Sequence, residues 1–392
     1  MFKYLFKRDT LFTTIAVFVV MGLLALVPLN THVLDPLKMA LHDFDYNDLA
    51  FSRMRSGEPS SSDADIVVVN IDTAGRGTLA QYLERLQQLK PKAVGLDVIF
   101  EGPREPESDS ALARAMRNCD KLVSAYSLDE HDPYHSSGDF FGNVRTAGSG
   151  YVNFVGEDTG VIRHFMPFVQ RTRGMPLSFA AAVSKVADPQ AFERLIKRDH
   201  TTEIINYTRR NDEMTVFEPD VLFDSSQAGL FAGKIVLLGF VSHDPNNFLD
   251  RHFTPMNARV VGKSWPDMSG VIVHANALRM ILDNSYINRV PTWVNWLIAV
   301  LLCWLMSALF IRFYLDKHLW FHLVAKTAQL LFAISFVYLG LLFFARMDLK
   351  LNLTPALVAV ILVVDVLYFY EALSLWLHRK WGFKTIFYRE HH

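Results

Sequence analysis

The chain has 392 residues, is 51% hydrophobic and only 20% charged, and carries a formal net charge of −1. That balance gives no global basic field, so nucleic acid is excluded as an expected partner. Its apolar residues are concentrated rather than spread: residues 11–29 carry no charge and three further apolar stretches crowd the last hundred positions, which marks a membrane protein with the lipid bilayer as its first partner.

Lys3, Lys7 and Arg8 precede the first apolar stretch, as in a signal peptide. The stretch is too long for a cleaved one and no small-x-small site follows it. An uncleaved signal anchor is expected, with residues 1–10 cytoplasmic and a transmembrane helix over 11–29. Leu34, Leu37, Leu41 and Phe44 then recur at helical spacing, predicting an amphipathic connector, and the Ser-rich residues 56–62 break the chain before the first strand.

Residues 65–100 read DIVVVNIDTAGRGTLAQYLERLQQLKPKAVGLDVIF. Two apolar runs, 66–71 and 93–100, flank a stretch in which Leu79, Leu83, Leu86 and Leu89 fall three or four apart, so a strand, a helix and a strand are expected. Strands this uniformly apolar suit a parallel sheet covered on both faces, joined by a right-handed crossover. Asp72 follows the first strand and Asp97 lies in the second. Ligands of open α/β sheets collect at the carboxyl ends of strands; the bland alternative makes Asp72 a turn cap and Asp97 a satisfied core acid.

Further along, helical character is expected over 111–116, a short strand over 122–125, and a long loop rich in Gly, Ser, Asp and His over 129–150. Strands are expected over 151–154 and 161–169, the second pushed to an edge by Pro167. A helix over 177–186, strands over 203–207 and 234–238, and a helix over 271–282 complete one α/β domain, residues 30–291, with a mixed, mainly parallel sheet flanked by helices. Trp293 and Trp296 suit a headgroup-level interface. Spans over 292–311, 323–344 and 354–377 make, with the first, an all-α bundle of four transmembrane helices, and residues 378–392 form a cytoplasmic tail. Arg312, Lys317, Arg379, Lys380, Lys384 and Arg389 on the cytoplasmic side outnumber Arg346 and Lys350 on the other. On this topology Cys119 and Cys303 lie in different compartments, which excludes a disulfide between them, and neither forms a metal-ligand pair.

Residues 74–78, AGRGT, lack the spacing and the Lys of a phosphate-binding loop, and no HExxH, GxSxG or kinase motif set occurs. No catalytic residue and no cofactor is therefore assigned. The run KIVLLG, residues 234–239, leads into His243, Asp244, Asp250 and His252, then Thr254 and Pro255. If that strand runs parallel to the first two, these groups meet Asp72 and Asp97 at one sheet edge, where carboxylates and imidazoles bind a divalent metal or a cationic ligand. Like charges there would raise a carboxyl pKa unless a cation, or an Arg such as Arg163 or Arg251, answers them. His274 is expected to be a hydrogen-bonded core histidine. Asp72, Asp97, Arg163, Asp244, Asp250 and His252 are the candidate ligand-binding residues, with any metal left undetermined. Within the spans, Lys326, Asp365 and Glu371 are costly in lipid and must face partners. They are the candidate transmembrane-coupling residues, with Lys326 expected to pair with Glu371 and Asp365 to lack a matching base.

DIVVVNID, AVGLDVIF, GYVNFVGEDTGVIRHFMPF, GKIVLLG, DRHFTP and GVIVHANAL, in that order and preceded by DYNDLAFSRMR, resemble the extracytoplasmic CHASE2 sensory domain of bacterial membrane receptors. Asp72, Asp97, Asp158, Gly160, Arg163, Gly239, Asp250, Thr254, Pro255, His274 and Asn276 stand where that family's recurrent residues stand. The resemblance implies a periplasmic sensor in a bacterial inner membrane, but names no ligand. Family members commonly continue into a kinase or cyclase, whereas this sequence ends about fifteen residues past the last span. A non-enzymatic sensor or adaptor is therefore expected, acting on a separate output protein, with homo-oligomerisation left open. A structural subunit of an envelope complex is the alternative, and a metal-dependent periplasmic hydrolase a third.

Overall fold

The structure, a computed structural model, describes residues 2–26, 45–55, 65–129, 136–137, 139–155, 160–170, 174–242, 244, 247–257, 265–316 and 320–388. The expected connector, the Ser-rich break, Asp158, His243, Lys317 and Arg389 lie outside the described residues. Contacts divide the chain into Leu37–Ile287 and a second unit of Met1–Pro36 with Asn288–His392.

In the first unit β1 (Ile66–Asn70) leads through α1 (Arg76–Leu89) to β2 (Ala93–Leu96), the expected strand, helix and strand. Then follow α2 (Pro106–Asn118), β3 (Leu122–Leu128), β4 (Ser136–Ser137), β5 (Gly148–Tyr151), β6 (His164–Phe165), α3 (Phe179–Ala187) and α4 (Pro189–Lys197). β7 (Glu203–Ile204), β8 (Val216–Phe217), β9 (Ile235–Gly239), β10 (Arg251–His252), β11 (Met268–Ser269) and α5 (Gly270–Asp283) complete it. The main sheet runs β4-β3-β2-β9-β1-β8, with β5 also on β3. Every pairing in it is parallel except that of β4.

β1, β2 and β9 are buried along their whole length because both sheet faces are covered. On one face Val67, Val69, Val94, Leu96, Val236 and Leu238 pack with Leu79, Leu83 and Leu86 of α1 and with Leu112 and Met116 of α2. On the other, α3 and α5 close in. A Cβ on Gly239 would stand 2.5 Å from the Val271 side chain, so only glycine lets α5 approach the end of β9 this closely.

Three expectations shift. The strand expected over 151–154 is instead Gly148–Tyr151, shifted three residues back into the end of the supposed loop. The one over 161–169 reduces to His164–Phe165 plus isolated bridges at Val161 and Phe168, because its partner β7 is only two residues long. The charged stretch before 203 contains α4, whose start is fixed by Asp188 accepting from the backbone N–H of Gln190 (3.0 Å) and Ala191 (3.1 Å).

Among the described residues, the second unit contains four helices long and apolar enough to cross a membrane: Arg8–Leu26, Thr292–Asp316, Phe321–Met347 and Thr354–Trp381. Asp9 is buried and accepts from Tyr370 Oη (3.0 Å), Thr385 Oγ1 (2.7 Å) and the Ile386 N–H (3.3 Å), tying the N-terminal helix to the tail. The expected pairing of Lys326 with Glu371 is not what forms. Lys326 Nζ stands 3.4 Å from Asp365, while Glu371 accepts from Tyr314 Oη at 2.5 Å. The register has a local cause: Gln329, one turn from Lys326, donates its amide to the carbonyls of Val360 (2.7 Å) and Ile361 (2.9 Å). That brings Asp365 level with Lys326 and leaves Glu371 more than a turn beyond.

Candidate functional site

β1 and β9 end in register at Asn70 and Gly239, and β2 ends one position earlier, with Leu96 opposite Leu238, so the residues that follow share one edge. Asn70 is buried and organises that edge. Its side-chain carbonyl accepts from the backbone N–H of Asp72 (3.1 Å) and Val241 (3.0 Å), while its amide donates to Glu218 (3.3 Å). Asp72 takes a left-handed φ of 45°, and the Asp97 N–H donates to the Leu238 carbonyl at 2.8 Å. A crevice of about 1020 Å³ opens here, lined by Asp72, Arg76, Asp97, Asp250, His252 and His274 among others. It lies outside the carboxyl ends of the parallel strands, the position open α/β sheets favour for ligands.

Burial, and secondarily the charge of Asp250, pushes the Asp97 carboxyl up to about 8, so it is mostly protonated at neutral pH. Asp250 also has a left-handed φ, 53°, and its backbone carbonyl accepts from the Gly270 N–H at 3.1 Å. Its carboxylate lies against the first residue of α5: a Cβ on Gly270 would stand 2.9 Å from Asp250 Oδ1. Glycine therefore admits the carboxylate to the positive end of the helix dipole. His252 Nε2 is 3.5 Å from the same oxygen. Phe154 bridges the two histidines, edge-on to His252 at 5.0 Å and stacked on His274 at 4.7 Å. Burial, then the neighbouring His252, pushes His274 down to about 3, leaving it neutral. The crevice thus holds a neutral acid and a neutral imidazole.

Of the six candidate ligand-binding residues, Asp72, Asp97, Asp250 and His252 come together in the crevice, whereas Arg163 and Asp244 are not among its lining residues. Arg163 forms a bidentate pair with Asp48, at 3.0 and 2.6 Å, and the exposed Asp244 follows Ser242 past the edge. Arg251 donates to the Ser242 carbonyl at 2.9 Å. The arginines that do line the crevice are Arg76 and Arg104. Arg76 is held by Asp109 and the Gly102 carbonyl, with its guanidinium 5.2–5.4 Å from the rings of Phe100, Phe140 and Phe141. That hydrogen bond holds the Asp109 carboxyl below the usual range. Sequence reasoning passed over Arg76 as part of an unproductive glycine loop and over Asn70 altogether, though a lone Asn ending a fully apolar strand was a usable signal. His274 is buried as expected, but among the described residues it packs by ring contacts and makes no hydrogen bond. Asp72 sits in the turn that follows β1, and the N-cap of α1 is Gly75.

Among the described residues no three His, Cys, Asp or Glu side chains are grouped to hold a metal ion. Two further motif residues, Thr254 and Asn276, have structural tasks. Thr254 donates its N–H (2.8 Å) and hydroxyl (2.6 Å) to Asp267, whose carboxyl burial raises to about 6 against those bonds. Asn276 accepts from the N–H groups of Thr208 and Arg209 and donates to the carbonyls of Arg209 and Ile272. In comparison with known proteins, a family model described as CHASE2 domain matches residues 15–311, while no curated protein and no solved structure matches.

Proposed function

Since the chain belongs to the CHASE2 family of sensory extracellular domains, we propose that it is an inner-membrane sensor whose α/β domain faces the periplasm, binds a small ligand in the crevice, and acts on a separate output protein through its membrane helices. No catalytic role is assigned to it. The observation that carries the reading is the crevice itself, where Asp97, Asp250, His252 and His274 converge at the sheet edge. A ligand bearing a positive charge would favour the ionised form of Asp97 and relieve its repulsion with Asp250. It would thereby act on α5, the helix that holds Asp250 at its start and carries His274, and that precedes the second apolar helix in the chain. Intramembrane acids and bases such as Lys326, Asp365 and Glu371 are the groups through which helices register a change in packing.

The test is a melting-temperature screen of the purified full chain against small organic cations. Stabilising compounds are expected, with the effect lost in Asp250→Asn. The reading fails if no compound in the screen binds in a manner sensitive to crevice substitutions. The second reading, a structural subunit of an envelope complex, draws on one feature: Phe248 and Trp265 stack at 4.7 Å beside Leu249, with Trp265 and Leu249 both exposed. Apolar groups in that setting suit a docking partner.

A further inference from the structure

Two of the long helices place charge where a bilayer offers no partner. By helical rise Asp365 lies about 16 Å from both Thr354 and Trp376, which puts it near the middle of a hydrocarbon core about 30 Å thick. Lys326 reaches it from the neighbouring helix, with Nζ 3.5 Å from Oδ1 and 3.4 Å from Oδ2. One turn from Lys326, His322 stacks on Tyr368 at 5.2 Å, and the Tyr368 hydroxyl lies 3.1 Å from Nε2. His322, Lys326, Asp365 and Tyr368 therefore form one polar patch across two helices.

The patch faces outward. The Lys326 and Asp365 side chains are 54% and 56% exposed, whereas Asp9 is buried and Glu371 is held by Tyr314. An ammonium has three donors and a carboxylate about four acceptor sites, and this single contact leaves most of them unused. Lipid tails supply neither donors nor acceptors, so the remaining capacity needs protein. The patch carries one positive and one negative group side by side, which makes it complementary to itself under a two-fold rotation: Lys326 of each copy meets Asp365 of the other. Ile361 and Phe369, one turn either side of Asp365, and Leu323 and Leu330, about a turn either side of Lys326, are exposed and supply an apolar rim. We propose that this patch is an interface between two copies of the chain within the membrane, held by reciprocal Lys326–Asp365 pairs.

The experiment uses full-length chains bearing donor or acceptor fluorophores, reconstituted in vesicles of phosphatidylethanolamine and phosphatidylglycerol. Wild-type chains are expected to associate. Lys326→Leu alone and Asp365→Leu alone, each leaving a charge unanswered, are expected to associate roughly tenfold more weakly. Mixing the two variants should restore association, because the Lys326 retained by one chain meets the Asp365 retained by the other; an ion pair confined within each chain gives no such rescue. Should either Leu variant fail to fold, Lys326→Gln and Asp365→Asn serve in the same mixing. Phe369→Cys, with both charges intact, is expected to cross-link between copies on mild oxidation. Monomeric wild-type chains, or a mixture no better associated than its components, overturns the proposal, as does a patch covered by a different membrane protein.

Discussion

Asp97 gives the sharpest test of the crevice. An ordinary aspartate ionises near 3.8 and burial lifts this one to about 8, so the folded state holds a proton that the unfolded state gives up. For an acid with a raised folded pKa, stability is greatest below the unfolded pKa, falls as pH rises from about 4 to about 8, and is level beyond. At pH 7 the difference amounts to about 4 kcal/mol at 1.36 kcal/mol per pH unit. Relaxation and water entering the crevice reduce this to about 2 kcal/mol as a working figure. Asp97→Asn keeps the shape and removes the titration. The full chain in detergent should then melt about 4–8 °C higher than wild type at pH 7, on the usual 2–4 °C per kcal/mol for a domain of this size. Melting is measured from pH 4 to 9: the gap between the two proteins should widen up to about pH 8 and then stay constant. Parallel curves would refute the burial argument and point to a carboxyl satisfied by backbone N–H groups, none of which is seen on Asp97 among the described residues. If the crevice is the proposed ligand site, the same variant is expected to lose ligand response while gaining stability, the usual trade-off where a binding site carries a destabilising group.

Asn276→Ala should lower stability by about 3 kcal/mol, since the fully buried Asn276 side chain makes four hydrogen bonds to backbone groups, and urea titration of the full chain measures it. Gly239→Ala should destabilise comparably by pushing α5 off the sheet, whereas Gly75→Ala, which has open space, should change little; the same titration separates them. In a double-mutant cycle on melting temperature, Lys326 should couple to Asp365 and not to Glu371. For the proposed orientation, Asn143→Cys should react with a membrane-impermeant thiol reagent in spheroplasts and Lys384→Cys should not; the reverse pattern rejects it.

Local pattern made much of this protein legible. Uninterrupted apolar runs at 66–71 and 234–238 could be stable only with both faces covered, and the leucines at 79, 83, 86 and 89 could be buried together only on a helix. The long apolar stretches likewise specified four helices by length and composition alone. Asp72, Asp97, Asp250 and His252 were recoverable because strand ends in a parallel sheet share an edge.

What the sequence left undecided depended on partners distant in the chain. The two-residue strand β8 exists only because β1 offers it a ladder at Val68 and Val69. Arg163 was assigned to the acids of the crevice, but Asp48 claims it through a bidentate geometry that no spacing encodes. Lys326 could be given a partner by depth, yet the amide of Gln329 sets the register that selects Asp365 over Glu371. Periodicity follows from each residue's own neighbours and is written along the chain, whereas the choice among several chemically acceptable partners is made by packing, and only the tertiary structure decided it.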